Sequence, residues 1–240
     1  MSDTQGGSGQ SDADAREHTG LKRVAEIARR LAEADDLDET LQRVVDLATG
    51  YIEHCNGATL MLIQGSRVTT PASTSMDARD ADLAQYRAGD GPCLTAMREH
   101  RLVVIQDIPA DDRWPQWRAE VTELGWSSMI GLRLFVAEET MGALDLYSRT
   151  TDAFDERAQE LADIFASLAA VAMKAAISEA GLHHALASRD VIGQAKGMLM
   201  ERRRLTGEQA FAHLRQLSNH HNVKLREIAR QITESGEIPD

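Results

Sequence analysis

The chain has 240 residues, 42% hydrophobic and 27% charged, which is room for one domain of ordinary size plus a small one. Its two cysteines, Cys55 and Cys93, are too far apart for a Cys-x-x-Cys pair and exclude a disulfide framework; no apolar run approaches the ~20 residues that span a bilayer. A net charge of −12 argues against a nucleic-acid partner only until its distribution is read, because nine Lys/Arg stand against four Asp/Glu between Ala185 and Gln231 while the rest is acidic.

Met1 to Thr19 is rich in Gly, Ser, Asp and Gln, so residues 1–20 are expected to form an unstructured tail. The tail lacks the apolar core of a signal peptide, which points to the cytoplasm and away from a membrane. Leu21, Val24, Ala25, Ile27, Ala28 and Leu31 then recur at helical spacing, and a second helix is predicted over Thr40–Ile52. ATLMLI from Ala58, a turn at Gln64-Gly65-Ser66 and RVTTPAS read as a hairpin. Asp77–Arg87 reads as a helix. Asp90 can cap another over Cys93–Glu99, with Pro92 where a missing N–H costs nothing. A strand in LVVIQDI, a short helix from the Trp114–Trp117 region to Leu124 and two strands about Ala137-Glu138-Glu139 follow. Asp155 to about Ala180 is uninterrupted helix former.

This order predicts an α+β domain around a mostly antiparallel sheet over residues 21–180. With Gly89-Asp-Gly-Pro-Cys-Leu94, Gly142-Ala-Leu-Asp145 and Phe154-Asp-Glu156 it resembles the GAF domain. The resemblance implies a sensory role. It carries no particular ligand, because the Asn-Lys…Phe-x-x-x-Asp-Glu signature of cyclic-nucleotide binders is missing here. Cys93, near a predicted helix start, is weighed as a redox thiol; a packed core cysteine is the simpler reading.

In the connecting helix, Leu161, Phe165, Leu168, Ala172, Ala175, Leu182 and Leu186 follow alternating three- and four-residue steps. That is a coiled-coil seam, and it predicts a parallel homodimer. Gly181 is a possible hinge.

Residues 181–240 read as three short amphipathic helices. The first ends near Arg202 with a core face of Val191, Ile192, Ala195, Met198 and Leu199. The second is started by a Thr206/Gln209 capping box and buries Ala210, Phe211, Leu214 and Leu217. The third is capped by Asn222 and buries Leu225, Ile228, Ala229 and Ile232. Arg189, Lys196 and Arg203 recur every seven residues and share a face spanning roughly 21 Å at ~1.5 Å per residue. Gly193 and Gly197 lie beside Lys196, where each costs ~1 kcal/mol relative to Ala unless something must approach closely. Arg204 adds charge at the helix end. Arg215, Ser218, Asn219 and Asn222 share a flank of the second helix, suited to base edges, with Lys224 and Arg226 close by in the third.

Arg189, Ala195-Lys196-Gly197, Ala210-Phe211, Leu214-Arg215, Ser218, Asn222, Lys224-Leu225, Ala229 and Ile232 together closely resemble the ANTAR module. The resemblance implies a bacterial antitermination regulator that binds paired stem-loops in nascent mRNA and touches RNA polymerase only indirectly. No Gly-x-x-x-x-Gly-Lys loop, His-Glu-x-x-His helix or nucleophile elbow is present, so neither catalysis nor a cofactor or metal is expected. The rival readings are a DNA-binding regulator, which lacks a tight turn before a marked recognition helix, and a GAF-based redox or ligand-binding dimerisation module.

Overall fold

The computed structural model describes residues 8–65, 67–99 and 102–237. In chain order these form α1 (Ser8–Leu31), α2 (Leu37–Tyr51), β1 (Gly57–Gln64), β2 (Arg67–Ser73), α3 (Met76–Ala88), α4 (Pro92–Glu99), β3 (Val103–Ile105), α5 (Pro115–Glu123), β4 (Ser128–Val136), β5 (Glu139–Ser148), α6 (Glu156–Arg203), α7 (Gly207–His221) and α8 (Leu225–Ser235). They divide into two compact units, Met1–Ile177 and Ser178–Asp240.

In the first unit the five strands pair antiparallel in the order β2-β1-β5-β4-β3. Both faces are covered. Leu60 and Leu62 of β1, Ile130, Leu132 and Leu134 of β4, and Leu144 and Leu146 of β5 join Val44, Val45 and Ala48 of α2 and Phe165, Ala169 and Met173 of α6 in one core. The alternate residues, Met129 and Tyr147 among them, meet Ala78 and Ala81 of α3 and Trp117 and Val121 of α5. A sheet buried on both faces explains why β1 and β4 read as continuous apolar runs. Where β5 pairs with β1, opposite Leu62, Gly142 is required: a Cβ there would lie 1.8 Å from the Met61 carbonyl oxygen. Pro71, which cannot donate to a ladder, sits in the edge strand β2 where the register shifts.

Several expectations are corrected. The first helix reaches back to Ser8, so the part of the expected tail from Ser8 onward is helical; Ala13–Glu17 continues it without a breaker, and residues 1–7 lie outside the described ones. The second helix begins at Leu37, because Asp36 accepts a hydrogen bond from the Glu39 amide (2.8 Å). Asp90 does not cap α4. Its carboxylate is held by Arg98, and the Cys93 amide donates instead to Gln85 Oε1 (2.8 Å). Neither does Gly181 interrupt α6, so the first helix of the C-terminal module is the end of one 48-residue helix. By length and hydropathy alone α6 could cross a bilayer, yet Phe165, Ala166, Ala169 and Met173 are buried in the first unit's core.

In the second unit Ala195 and Leu199 of α6 pack with Ala210, Leu214 and Leu217 of α7 and Ile228, Ala229 and Ile232 of α8. The capping box is complete: Gln209 N–H donates to Thr206 Oγ1 (3.3 Å) and Thr206 N–H to Gln209 Oε1 (2.9 Å). Phe211, expected inside, is 40% exposed. Asn222 ends α7 in the left-handed conformation (φ 52°, ψ 38°) rather than starting α8, whose N-cap position is Lys224. An Asn tolerates that conformation better than most residues.

Candidate nucleic-acid interface

At 100° per residue, Arg189, Gly193, Lys196, Met200 and Arg203 fall within one strip of α6, which flanks the core-facing Ala195 and Leu199. Arg189, Arg203 and Met200 are exposed and Lys196 is half-buried. Among the described residues none of Arg189, Lys196, Arg203, Arg204 and Arg215 forms an ion pair. Their charge is therefore not neutralised within the unit. A Cβ built on Gly193 or Gly197 meets nothing within 4 Å, so neither glycine is demanded by internal packing. The Lys196 ammonium lies against the start of α7, 3.5 Å from where a Gly207 Cβ would stand.

On α7, Gly207, Phe211, Arg215, Ser218 and Asn222 form a second strip along the edge of the core face, with Asn219 exposed just beyond. The sequence did not place Phe211 here. One of these polar groups is committed to the fold: Ser218 Oγ donates to the Val223 carbonyl (2.6 Å), which leaves its hydroxyl only as an acceptor. Asn222 holds the α7–α8 turn through its backbone, in the left-handed conformation, and its side chain, like those of Arg215 and Asn219, is exposed. Arg204 adopts φ 53° where α6 ends, Arg203 Nη1 lies 3.1 Å from His213 Nε2, and Lys224 is exposed. Arg226 contacts His184 and lies 3.6 Å from Glu227, so it is the least available of the cations named.

The seam expected on α6 does not fit the observed burial in its register. Phe165 is fully buried against the sheet and cannot face a partner helix, while Ile164 (44%) and Val171 (62%) are exposed. Leu161, Ile164, Leu168, Val171, Ala175, Ser178, Leu182 and Ala185 keep the three- and four-residue steps and retain four of the expected positions, Leu161, Leu168, Ala175 and Leu182. Ala172 is half-buried, and Leu186, like Leu182, is exposed.

The first unit holds a sealed polar cluster. Asp82 of α3 accepts from Thr59 (2.7 Å) and Tyr147 (3.0 Å) at Oδ1 and from Thr70 (3.0 Å) at Oδ2. Asp145 of β5 accepts from Gln85 Nε2 (3.0 Å) at Oδ2, and its buried Oδ1 has no hydrogen-bond partner. Burial, and then the charge of Asp82, hold the Asp145 carboxyl well above the usual carboxylate range. Burial raises Asp82 too, against its three donors. Asp145, with the fewer donors, is the one that stays protonated. Burial, and after it the charge of the neighbouring Asp145/Asp82 pair, pushes the Cys93 thiol up, and its sulfur lies 3.6 Å from Met61 Sδ. Cys93 is thus a neutral core thiol, contrary to the redox reading. An inward Asp amid Ala78, Ala81 and Ala84 was the one signal for this cluster.

A group whose folded pKa is raised contributes stability below its unfolded pKa and loses it as pH rises through the folded value. Stability should therefore decline from about pH 4, where an unfolded Asp ionises, upward. Asp145→Asn keeps the shape and removes the titration. It should raise the melting temperature at pH 8 and leave it unchanged at pH 4. Each tenfold difference in proton affinity between the folded and unfolded chain is worth about 1.4 kcal/mol. Parallel melting curves for the two proteins from pH 4 to 8 would contradict a protonated Asp145.

The GAF domain family matches residues 34–174 and the ANTAR domain family residues 180–232. Among solved structures the chain is similar to the GAF domain from Acinetobacter phosphoenolpyruvate-protein phosphotransferase (12% identity, TM-score 0.53, covering 68% of this chain and 98% of that one). It is also similar to the GAF domain of the Coxiella burnetii phosphoenolpyruvate-protein phosphotransferase (15%, TM-score 0.53, 68% and 96%). A third is the reduced form of fRMsr of Staphylococcus aureus (16%, TM-score 0.52, 64% and 94%). At these identities the likeness concerns the fold alone. No curated protein matches the chain.

Proposed function

The chain belongs to the GAF domain family and carries an ANTAR domain at its C-terminal side, and from this premise we propose that it is a cytoplasmic, dimeric RNA-binding antiterminator. ANTAR membership implies RNA binding and regulation, and GAF membership a sensory domain. The finer reading is that the two ANTAR modules of a homodimer engage paired stem-loops in nascent mRNA and so prevent a terminator hairpin from forming. The observation that carries it is the α6 strip, where Arg189, Lys196 and Arg203 stand without an ion-pair partner among the described residues, beside two glycines that internal packing does not require.

Arg189, Lys196, Arg203 and Arg204 are assigned to phosphates, which set affinity and its salt dependence. Arg215, Asn219 and Asn222 are assigned to base edges. An unpaired loop is the suitable target, because proteins read RNA sequence mainly in splayed nucleotides. The dimer forms along Leu161, Ile164, Leu168, Val171, Ala175 and Leu182, and the GAF domain biases it in response to a signal.

Lys196→Ala should weaken binding to every hairpin alike and reduce the log–log salt slope by about 0.7–0.9, the share of one phosphate contact. Titrations of a tandem-hairpin RNA at several salt concentrations, beside duplex DNA of the same sequence, measure this. An unchanged slope would remove Lys196 from the interface. Equal affinity for the DNA duplex would replace the RNA reading with the DNA-binding one.

A further inference from the structure

An exposed phenylalanine inside a basic surface is the feature that the fold does not account for. Phe211 was expected to be buried with Ala210, Leu214 and Leu217, yet those three are at most 4% exposed while its ring is 40% exposed. It stands in the α7 strip with Gly207, Arg215 and Asn222, one turn from the place where the Lys196 ammonium meets Gly207. Together with Arg189, Ile192, Gly193 and Lys196 it lines an open concavity of about 670 Å³. Gly193 leaves the floor clear, since no heavy atom lies within 4 Å of where its Cβ would be.

We propose that Phe211 is the platform on which one unpaired base of the RNA loop stacks, while Arg189 and Lys196 hold the phosphates on either side of it. The inference rests on the RNA-binding reading above and names the part of the RNA that enters this concavity. Charge favours this occupant. Arg189 and Lys196 attract a polyanion, whereas the Asp190 carboxylate in the same concavity disfavours a phosphate and, with the Gln194 amide, suits the amino-bearing edge of a base. A base also matches the ring, because every base has a π face and aromatic side chains serve as stacking platforms for unpaired nucleotides. In a duplex the bases are already stacked on each other, so this contact is one that only a loop can make.

The test uses the full-length protein and a tandem-hairpin RNA taken from a randomised-loop pool by the wild-type chain. Phe211→Ala should lose roughly 10- to 100-fold in affinity, keep the wild-type salt slope and keep the dimer. Phe211→Trp should bind within a few-fold of wild type, and its added indole emission should be quenched by RNA. An abasic nucleotide at one loop position should reproduce the loss, with no further effect of Phe211→Ala on that RNA. Wild-type affinity in Phe211→Ala would overturn the proposal, as would a changed salt slope or a lost cooperative melt, which would make the ring part of the core. Recovery of no hairpin by the wild-type protein would instead defeat the RNA-binding reading itself.

Discussion

Val171→Asp combined with Leu182→Asp is expected to convert a dimer to a monomer in light scattering, with the thermal melt of the GAF domain unchanged. Both side chains are more than 60% exposed in the single chain, so the substitutions disturb no internal packing. In a coiled coil the same positions are covered by the partner helix. Two unpaired carboxylates buried in each chain then cost several kcal/mol per site, enough to dissociate the seam. Phe165→Asp separates the two registers. Phe165 is fully buried among the strands and α2, so a charge there should unfold the GAF domain instead of releasing a folded monomer. Should Val171→Asp alone remain dimeric while Phe165→Asp gives a folded monomer, the originally expected register is restored.

The second large effect is on RNA affinity. A tandem stem-loop RNA should bind ~10²–10⁴-fold more tightly than either stem-loop alone, because the second contact of a dimer is intramolecular. The gain requires no new contact and depends on a linker that lets both modules engage. It should vanish in the Val171→Asp, Leu182→Asp variant, which would bind single and tandem RNAs alike. A wild-type protein that fails to distinguish single from tandem RNA refutes the paired-site arrangement while leaving RNA binding itself intact.

The parts of the fold legible in the sequence are those set by local chemistry. The hairpins followed from turn residues between apolar runs, and the start of α7 followed from Thr206 and Gln209, whose reciprocal bonds are present. The less legible parts depend on what packs alongside. The alanine-rich α6 accommodates two three-four tracks one residue apart, and only the sheet decides that Phe165 faces inward and Ile164 outward. Phe211 lies at the edge of a helical arc that begins at Ala210, and periodicity alone cannot say whether a neighbour covers that edge. Asn222 suits either end of a helix, and the αL turn after His221 settles which. Asp82 and Asp145 come from a helix and a strand far apart in the sequence, and neither carries a local motif that announces the other.

Of the candidate RNA-facing residues, Arg189, Lys196 and Arg203 share one helix face, as their seven-residue repeat predicts, with Gly193 beside them. Ser218 and Asn222 share a flank of α7, as helical spacing also predicts. Their hydrogen-bonding and conformational roles in the α7–α8 turn were not visible, since a side chain's bond to a backbone carbonyl five residues away leaves no trace in composition. Arg226, counted among the cations, is drawn toward His184 and Glu227.

Whether the ANTAR module of the proposed dimer reads paired RNA hairpins is tested most directly by selection with the purified full-length protein. The pool holds tandem hairpins with randomised loops, and single hairpins and duplex DNA of the same length serve as competitors. The expected result is enrichment of RNAs that keep both stems and converge on particular unpaired loop residues, held against either competitor. A pool that shows no enrichment, or one displaced equally well by duplex DNA, would contradict paired-hairpin recognition.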